Sequence, residues 1–161
     1  MHPVDKQVQL LYDAQFEAFK GTALDTPLGT SECLGYNNIL FNRARDKGYW
    51  LGEHVPPMKF VAQLDNQWSG QARWYWHRLT GCDIQLTPSG KRGWVIAHEA
   101  AHILLMAGRP EREMTMEGHG KEYAAVFIWA VSALFGIKWS NRLKRAFAEA
   151  RVEAVCSLKE D

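Results

Sequence analysis

The sequence predicts a single α+β domain over residues 1–161, with a small, mostly antiparallel sheet packed on helices. Three observations carry this prediction. Apolar residues recur at helical spacing in two segments before residue 50 and in three after residue 90. Between these lie short runs rich in aromatic and β-branched residues, separated by turn formers. With 47% hydrophobic residues, a chain of 161 residues can bury one sizeable core and is short for two domains.

The first helix is expected within Asp5–Phe19, where Val8, Leu11, Tyr12, Gln15 and Phe19 share a face. Residues 21–30 are rich in Gly, Thr and Pro and predict a loop. A second helix is expected over Leu34–Lys47, with Leu34, Ile39, Leu40 and Ala44 as its apolar residues and Gly48 as its stop. Strands are expected at Lys59–Leu64, Ala72–Arg78 and Asp83–Thr87, and the short turns between them predict antiparallel pairing. A third helix is expected from about Lys91 to Ala107, stopped by Gly108 and Pro110. A polar linker over Arg109–Gly118 leads to a fourth helix, Gly120–Phe135. Ser140 is read as the N-cap of a last helix running to Val155.

Composition excludes several function classes. The formal charge of +1 gives no electrostatic case for a nucleic-acid or acidic partner. Cys33, Cys82 and Cys156 are widely spaced and form no CxxC pair, so neither a disulfide framework nor a cysteine zinc site is expected, and a reducing compartment is. The opening residues Met1-His2-Pro3-Val4-Asp5-Lys6-Gln7 lack a basic start followed by an apolar stretch, and predict no signal peptide. The longest apolar run, Tyr123–Ile137, is broken by Ser132 and Gly136. It falls short of the roughly 20 residues that span a bilayer, and predicts a buried helix and no membrane partner. These features read as a soluble, cytoplasmic protein.

The chemistry concentrates in His98-Glu99-Ala100-Ala101-His102, an HExxH motif. Residues four apart on a helix lie one turn above each other, so His98 and His102 can reach a single ion. Glu99 adjoins the first ligand, where its carboxylate can take a proton from water acidified by the ion. The flanks, Trp94-Val95-Ile96-Ala97 and Ile103-Leu104-Leu105-Met106-Ala107, are apolar on nearly every side and predict a buried helix. Burying two imidazoles and a carboxylate without partners costs several kcal/mol, an objection that a metal removes.

Catalytic zinc sites carry three protein ligands and an open position. His119 is the leading candidate for the third, because Gly118 and Gly120 let the backbone pass close to the site; Glu113, Glu117 and Glu122 are its rivals. The metzincin pattern is excluded, since it requires glycine at position 105 and histidine at 108, which here are Leu105 and Gly108.

His98-Glu99-Ala100-Ala101-His102 followed by His119-Gly120, with Tyr123 four residues beyond His119, resembles the pattern of the SprT-like zincin metalloproteases. The length and the Trp-rich middle are similar to small metallohydrolases of actinobacteria and their phages. The motif match covers about Trp94 to Gly136. The resemblance implies a zincin-like fold with a sheet packed on the active-site helix, one Zn2+ held by His98, His102 and His119, Glu99 as the base, and a peptide or protein substrate. Many SprT-like proteins carry a cysteine zinc ribbon. This chain has none, which argues against DNA-directed action.

Weaker signals have plainer readings. Arg73-Trp74-Tyr75-Trp76-His77-Arg78 could stack single-stranded bases or pair with an extended peptide, but aromatics are ordinary strand residues. The basic residues Lys138, Arg142, Lys144, Arg145 and Arg151 are offset by Glu149, Glu153, Glu160 and Asp161, which reads as a solvated helix face. Cys82 is expected to be a small buried residue. Tyr123, His77 and Tyr75 are candidates to steady a tetrahedral oxyanion. The competing function is a binding or regulatory module, on protein or DNA, with a structural zinc; Glu99 favours the hydrolase, since a structural site has no use for a general base.

Overall fold

The computed structural model describes residues 5–65, 68–75, 78–106 and 118–155, with the side chains of 74–80 outside that description. Its order is α1 (Val8–Phe19), α2 (Thr30–Asp46), β1 (Met58–Phe60), β2 (Gly70–Tyr75), β3 (Arg78–Leu86), α3 (Gly93–Met106), α4 (Lys121–Phe135) and α5 (Ile137–Ala150). Short 3-10 turns at Ala23–Asp25 and Pro88–Gly90 punctuate the connections. The protein is thus α+β, with five α-helices and a three-stranded sheet among the described residues.

The sheet is mixed, and this corrects the expectation of a mostly antiparallel one. Its strand order is β1-β3-β2. The short-turn argument holds for β2 and β3, which are antiparallel with Ala72 opposite Ile84 and Arg73 opposite Asp83. β1 passes over its neighbour in sequence and pairs in parallel with β3, Met58 opposite Ile84 and Phe60 opposite Leu86. The stretch from 61 to 77 is long enough for the crossover that parallel pairing demands. Asp83 ties the three strands together: its carboxylate receives two hydrogen bonds from Arg73 of β2, at 2.8 and 2.6 Å, and lies 3.2 Å from Lys59 Nζ of β1. Those two cations hold the Asp83 carboxyl below the usual range against the effect of burial.

Two helices differ from expectation in phase or start. α2 begins at Thr30, where the Gly29 N–H donates to Glu32 Oε1 at 3.1 Å. Its buried face is Cys33, Asn37, Leu40, Phe41 and Ala44, whereas Leu34 and Ile39 are exposed. α5 begins at Ile137, so Ser140 lies inside it, buried, with its hydroxyl donating to the Ile137 carbonyl. That helix stops at Ala150, where Arg151 takes a left-handed conformation with φ 62°.

α3 is the central element. Twelve of its residues are buried, and its neighbours are α2, α4 and β2. Gly93 permits the close crossing with α4, since a Cβ there would lie 2.6 Å from Phe135 Cζ. The start of α3 is tied to the turn after α1: Trp94 Nε1 donates to Asp25 Oδ1 at 2.8 Å and the Arg92 guanidinium donates to the Asp25 carbonyl. α1 in turn packs on α5 and reaches the HExxH turn through Tyr12 and Gln15, both of which meet the buried His98. No described helix is long and apolar enough to cross a membrane.

Candidate metal centre

His98 and His102 stand one turn apart on α3, as the four-residue spacing requires. His119 arrives from the turn Gly118–Gly120 that precedes α4. The three rings converge, with centroids 5.1 Å apart for His98–His102, 5.4 Å for His98–His119 and 4.6 Å for His102–His119. One ring nitrogen from each lies within 4.8 Å of the others, close enough to hold a metal ion. Among the described residues His119 joins this group, while Glu122 does not. Glu113 and Glu117 lie outside the described residues.

Each outer histidine is oriented by a partner from the start of the chain. His98 Nδ1 lies 2.8 Å from Gln15 Oε1, and an amide oxygen only accepts, so the ring proton sits on Nδ1 and leaves the Nε2 lone pair for a ligand. His119 Nδ1 lies 2.8 Å from Asp5 Oδ2, with the same consequence. A metal-binding histidine characteristically gives its second ring N–H to a carboxylate or carbonyl, which fixes the tautomer and raises ligand basicity. Burial pushes the pKa of His98 and of His102 well down, with the neighbouring histidines adding to the effect. Burial also lowers His119, although Asp5 opposes it. All three are thus held in the neutral form that binds metal.

Glu99 is 8% exposed and forms part of the cavity wall. Burial pushes its carboxyl up to about 8, against a hydrogen bond from the Ala72 backbone that acts to lower it. Gly70 lets β2 run this close to α3: a Cβ at that position would sit 3.0 Å from Glu99 Cγ and 3.1 Å from Val95 Cγ1. The cavity, about 320 Å³, is open to solvent and is bounded by α1 (Tyr12, Gln15), by Trp68 to Ala72, and by α3 (Trp94, Val95, His98, Glu99, His102), with His119 closing one side.

Of the residues proposed to steady an oxyanion, Tyr123 is fully buried beneath the histidines. Its ring stacks on His102 at 4.3 Å and its hydroxyl donates to the His98 carbonyl at 2.9 Å, so it supports the helix rather than facing the cavity. His77 and the Tyr75 side chain lie outside the described residues. Cys82 is buried, as expected, and burial beside Asp83 pushes its thiol up to about 11.

Sequence reasoning missed Asp5, Tyr12 and Gln15. The helical spacing puts Gln15 and Tyr12 on the apolar face of the first helix, and the local signal at Gln15 is a polar side chain sharing that face with Leu11, Ala14, Ala18 and Phe19. Comparison of the chain with protein-family models, with curated proteins and with solved structures finds no match.

Proposed function

We propose that this protein is a zinc-dependent hydrolase of the zincin type that cleaves amide bonds in peptides or proteins. One observation supports this reading above the rest. The two histidines of the HExxH helix and a third from the turn before the next helix meet in the lining of an open cavity that Glu99 also lines. Three neutral imidazoles are a donor set suited to zinc, and the tautomers set by Gln15 and Asp5 present the lone pairs such an ion needs. The meeting of His98, His102 and His119 also supports the SprT-like resemblance.

A zinc ion held there would supply a Lewis acid that acidifies water and polarises the substrate carbonyl. The chain's own part is proton handling. A positive charge beside a carboxylate favours its ionised form, which moves Glu99 down from about 8 and makes it a base. Glu99 takes a proton as the water oxygen bonds to the carbonyl carbon, then delivers it to the amide nitrogen as the C–N bond breaks. β2 lies at the edge of the sheet and its residues 70–72 line the cavity, so an extended peptide laid beside this strand would bring its backbone past Glu99.

The ligand assignment is tested by metal analysis of His119→Ala beside the parent. The reading predicts about one zinc per parent chain and a loss of most of it in the variant. Full occupancy in His119→Ala would remove His119 from the ligand set.

A further inference from the structure

Tyr12 stands where the reaction needs a hydrogen-bond donor. It sits on α1, far from the motif in sequence, yet it lines the same cavity as Glu99 and the three histidines. Its ring meets His119 edge-on, with centroids 5.0 Å apart, and tilts over His98 at 6.1 Å. Its hydroxyl lies 3.4 Å from His119 Nε2, the ring nitrogen that the Asp5 hydrogen bond leaves free for an ion. The side chain is 38% exposed, so a molecule in the cavity can touch it. Tyr123, which also packs against the histidines, donates its hydroxyl to a backbone carbonyl.

We propose that Tyr12 is a catalytic residue whose phenol hydroxyl donates a hydrogen bond to the oxyanion formed on the substrate carbonyl. This rests on the hydrolase reading above. An ion held by His119 Nε2 would take that lone pair, so the Tyr12 hydroxyl would lose this acceptor and keep its proton to offer elsewhere in the cavity. Attack by water converts the carbonyl C=O to a C–O single bond with the charge on oxygen. Tyr12 stabilises that charge without giving up its proton, and the charge is withdrawn when the C=O bond re-forms and the C–N bond breaks. Donors placed at a developing oxyanion contribute about 10²–10³-fold to kcat.

The test compares the full-length parent with Tyr12→Phe, which keeps the ring packing and removes only the oxygen. Zinc affinity is titrated first, then the affinity of each zinc-loaded protein for acetohydroxamate, a small monoanionic chelator that offers a carbonyl and a hydroxamate oxygen to a metal. Hydrolysis of unfolded casein is followed in the same preparations. The proposal expects zinc affinity within about threefold of the parent, acetohydroxamate binding weakened about tenfold or more, and kcat down about 10²-fold with KM little changed. Equal acetohydroxamate affinity in the two proteins would overturn it. So would loss of zinc itself from Tyr12→Phe, which would make the phenol a metal ligand; a tyrosinate-to-copper absorption band in the copper-loaded parent would say the same. A parent that binds no zinc would overturn the hydrolase reading and this inference with it, whereas a parent that binds zinc and an unaffected variant would overturn the inference alone.

Discussion

Asp5 and His119 are 114 positions apart in the sequence, yet the Asp5 carboxylate accepts a hydrogen bond from His119 Nδ1 at 2.8 Å. The contact joins the segment before α1 to the turn before α4. A further pair of bonds holds that segment in place: the Gln7 side chain donates to the Glu153 carbonyl at 3.1 Å and accepts from the Glu153 N–H at 2.9 Å. The orientation of the third histidine thus depends on both ends of the described chain.

Asp5→Asn should weaken zinc binding by about 10–100-fold, the usual effect of removing a partner of a metal-binding histidine. Competition against a chromophoric chelator measures it. An unchanged affinity would mean that the Asp5–His119 pair plays no part in binding.

Gln15→Leu should act in the same direction through His98, because it removes the carbonyl that fixes the Nδ1 proton. Gln15→Glu, which keeps an acceptor at the same reach, should recover most of the affinity. If both variants bind as the parent does, the His98 tautomer needs no partner.

Stripped of metal, the protein should be most stable near pH 6.5. The three histidines have folded pKa values below 6.5, so under that pH the unfolded chain binds more protons and stability falls as pH falls. Glu99 acts oppositely: with its folded pKa raised from 4.5 to about 8, the folded chain binds the extra proton between those values, and stability falls as pH rises across that window. Below 6.5 three histidines outweigh one glutamate; just above it the unfolded histidines finish losing their protons, and Glu99 then dominates until about pH 8. Melting temperatures of chelator-treated protein should trace this maximum, and Glu99→Gln should remove the alkaline decline. A decline that persists in Glu99→Gln would assign it to another group.

Tyr123→Phe should lower stability by about 0.5–1.5 kcal/mol, the net worth of its hydrogen bond to the His98 carbonyl. The ring stacking on His102 is retained, so zinc stoichiometry should be too. Urea unfolding and metal analysis give both numbers. A loss of zinc with unchanged stability would place Tyr123 in the site rather than beneath it.

The helix carrying the motif was legible because its signals are local. An HExxH spacing and apolar flanks fall within one stretch, and the glycines around His119 marked the turn that returns the chain to it, whereas the stop expected at Gly108 and Pro110 and most of the linker after it lie outside the described residues. What was illegible depends on pairing at a distance. β1 joins β3 rather than β2, a choice made by the whole sheet and not by the turn that follows β1. In α2 the apolar residues Leu34 and Ile39 drew the expected face towards solvent, because the buried face is filled partly by Cys33 and Asn37, and Asn37 is there to donate to the Pro56 carbonyl. Asp5, Tyr12 and Gln15 are ordinary residues for a helix and its approach. Only the packing of α1 against the start of α4 and the motif helix turns them into partners of histidines about 80 to 110 positions away.

The central claim is a metal centre that uses Glu99 as its base, and it is tested most directly on the parent and Glu99→Ala purified side by side. Zinc content and hydrolysis of an unfolded protein are measured on the same samples. The account predicts about one zinc per chain in both and hydrolysis in the parent alone. No zinc in either protein, even after it is added back, would contradict the metal centre, and equal hydrolysis by both would contradict the role of Glu99.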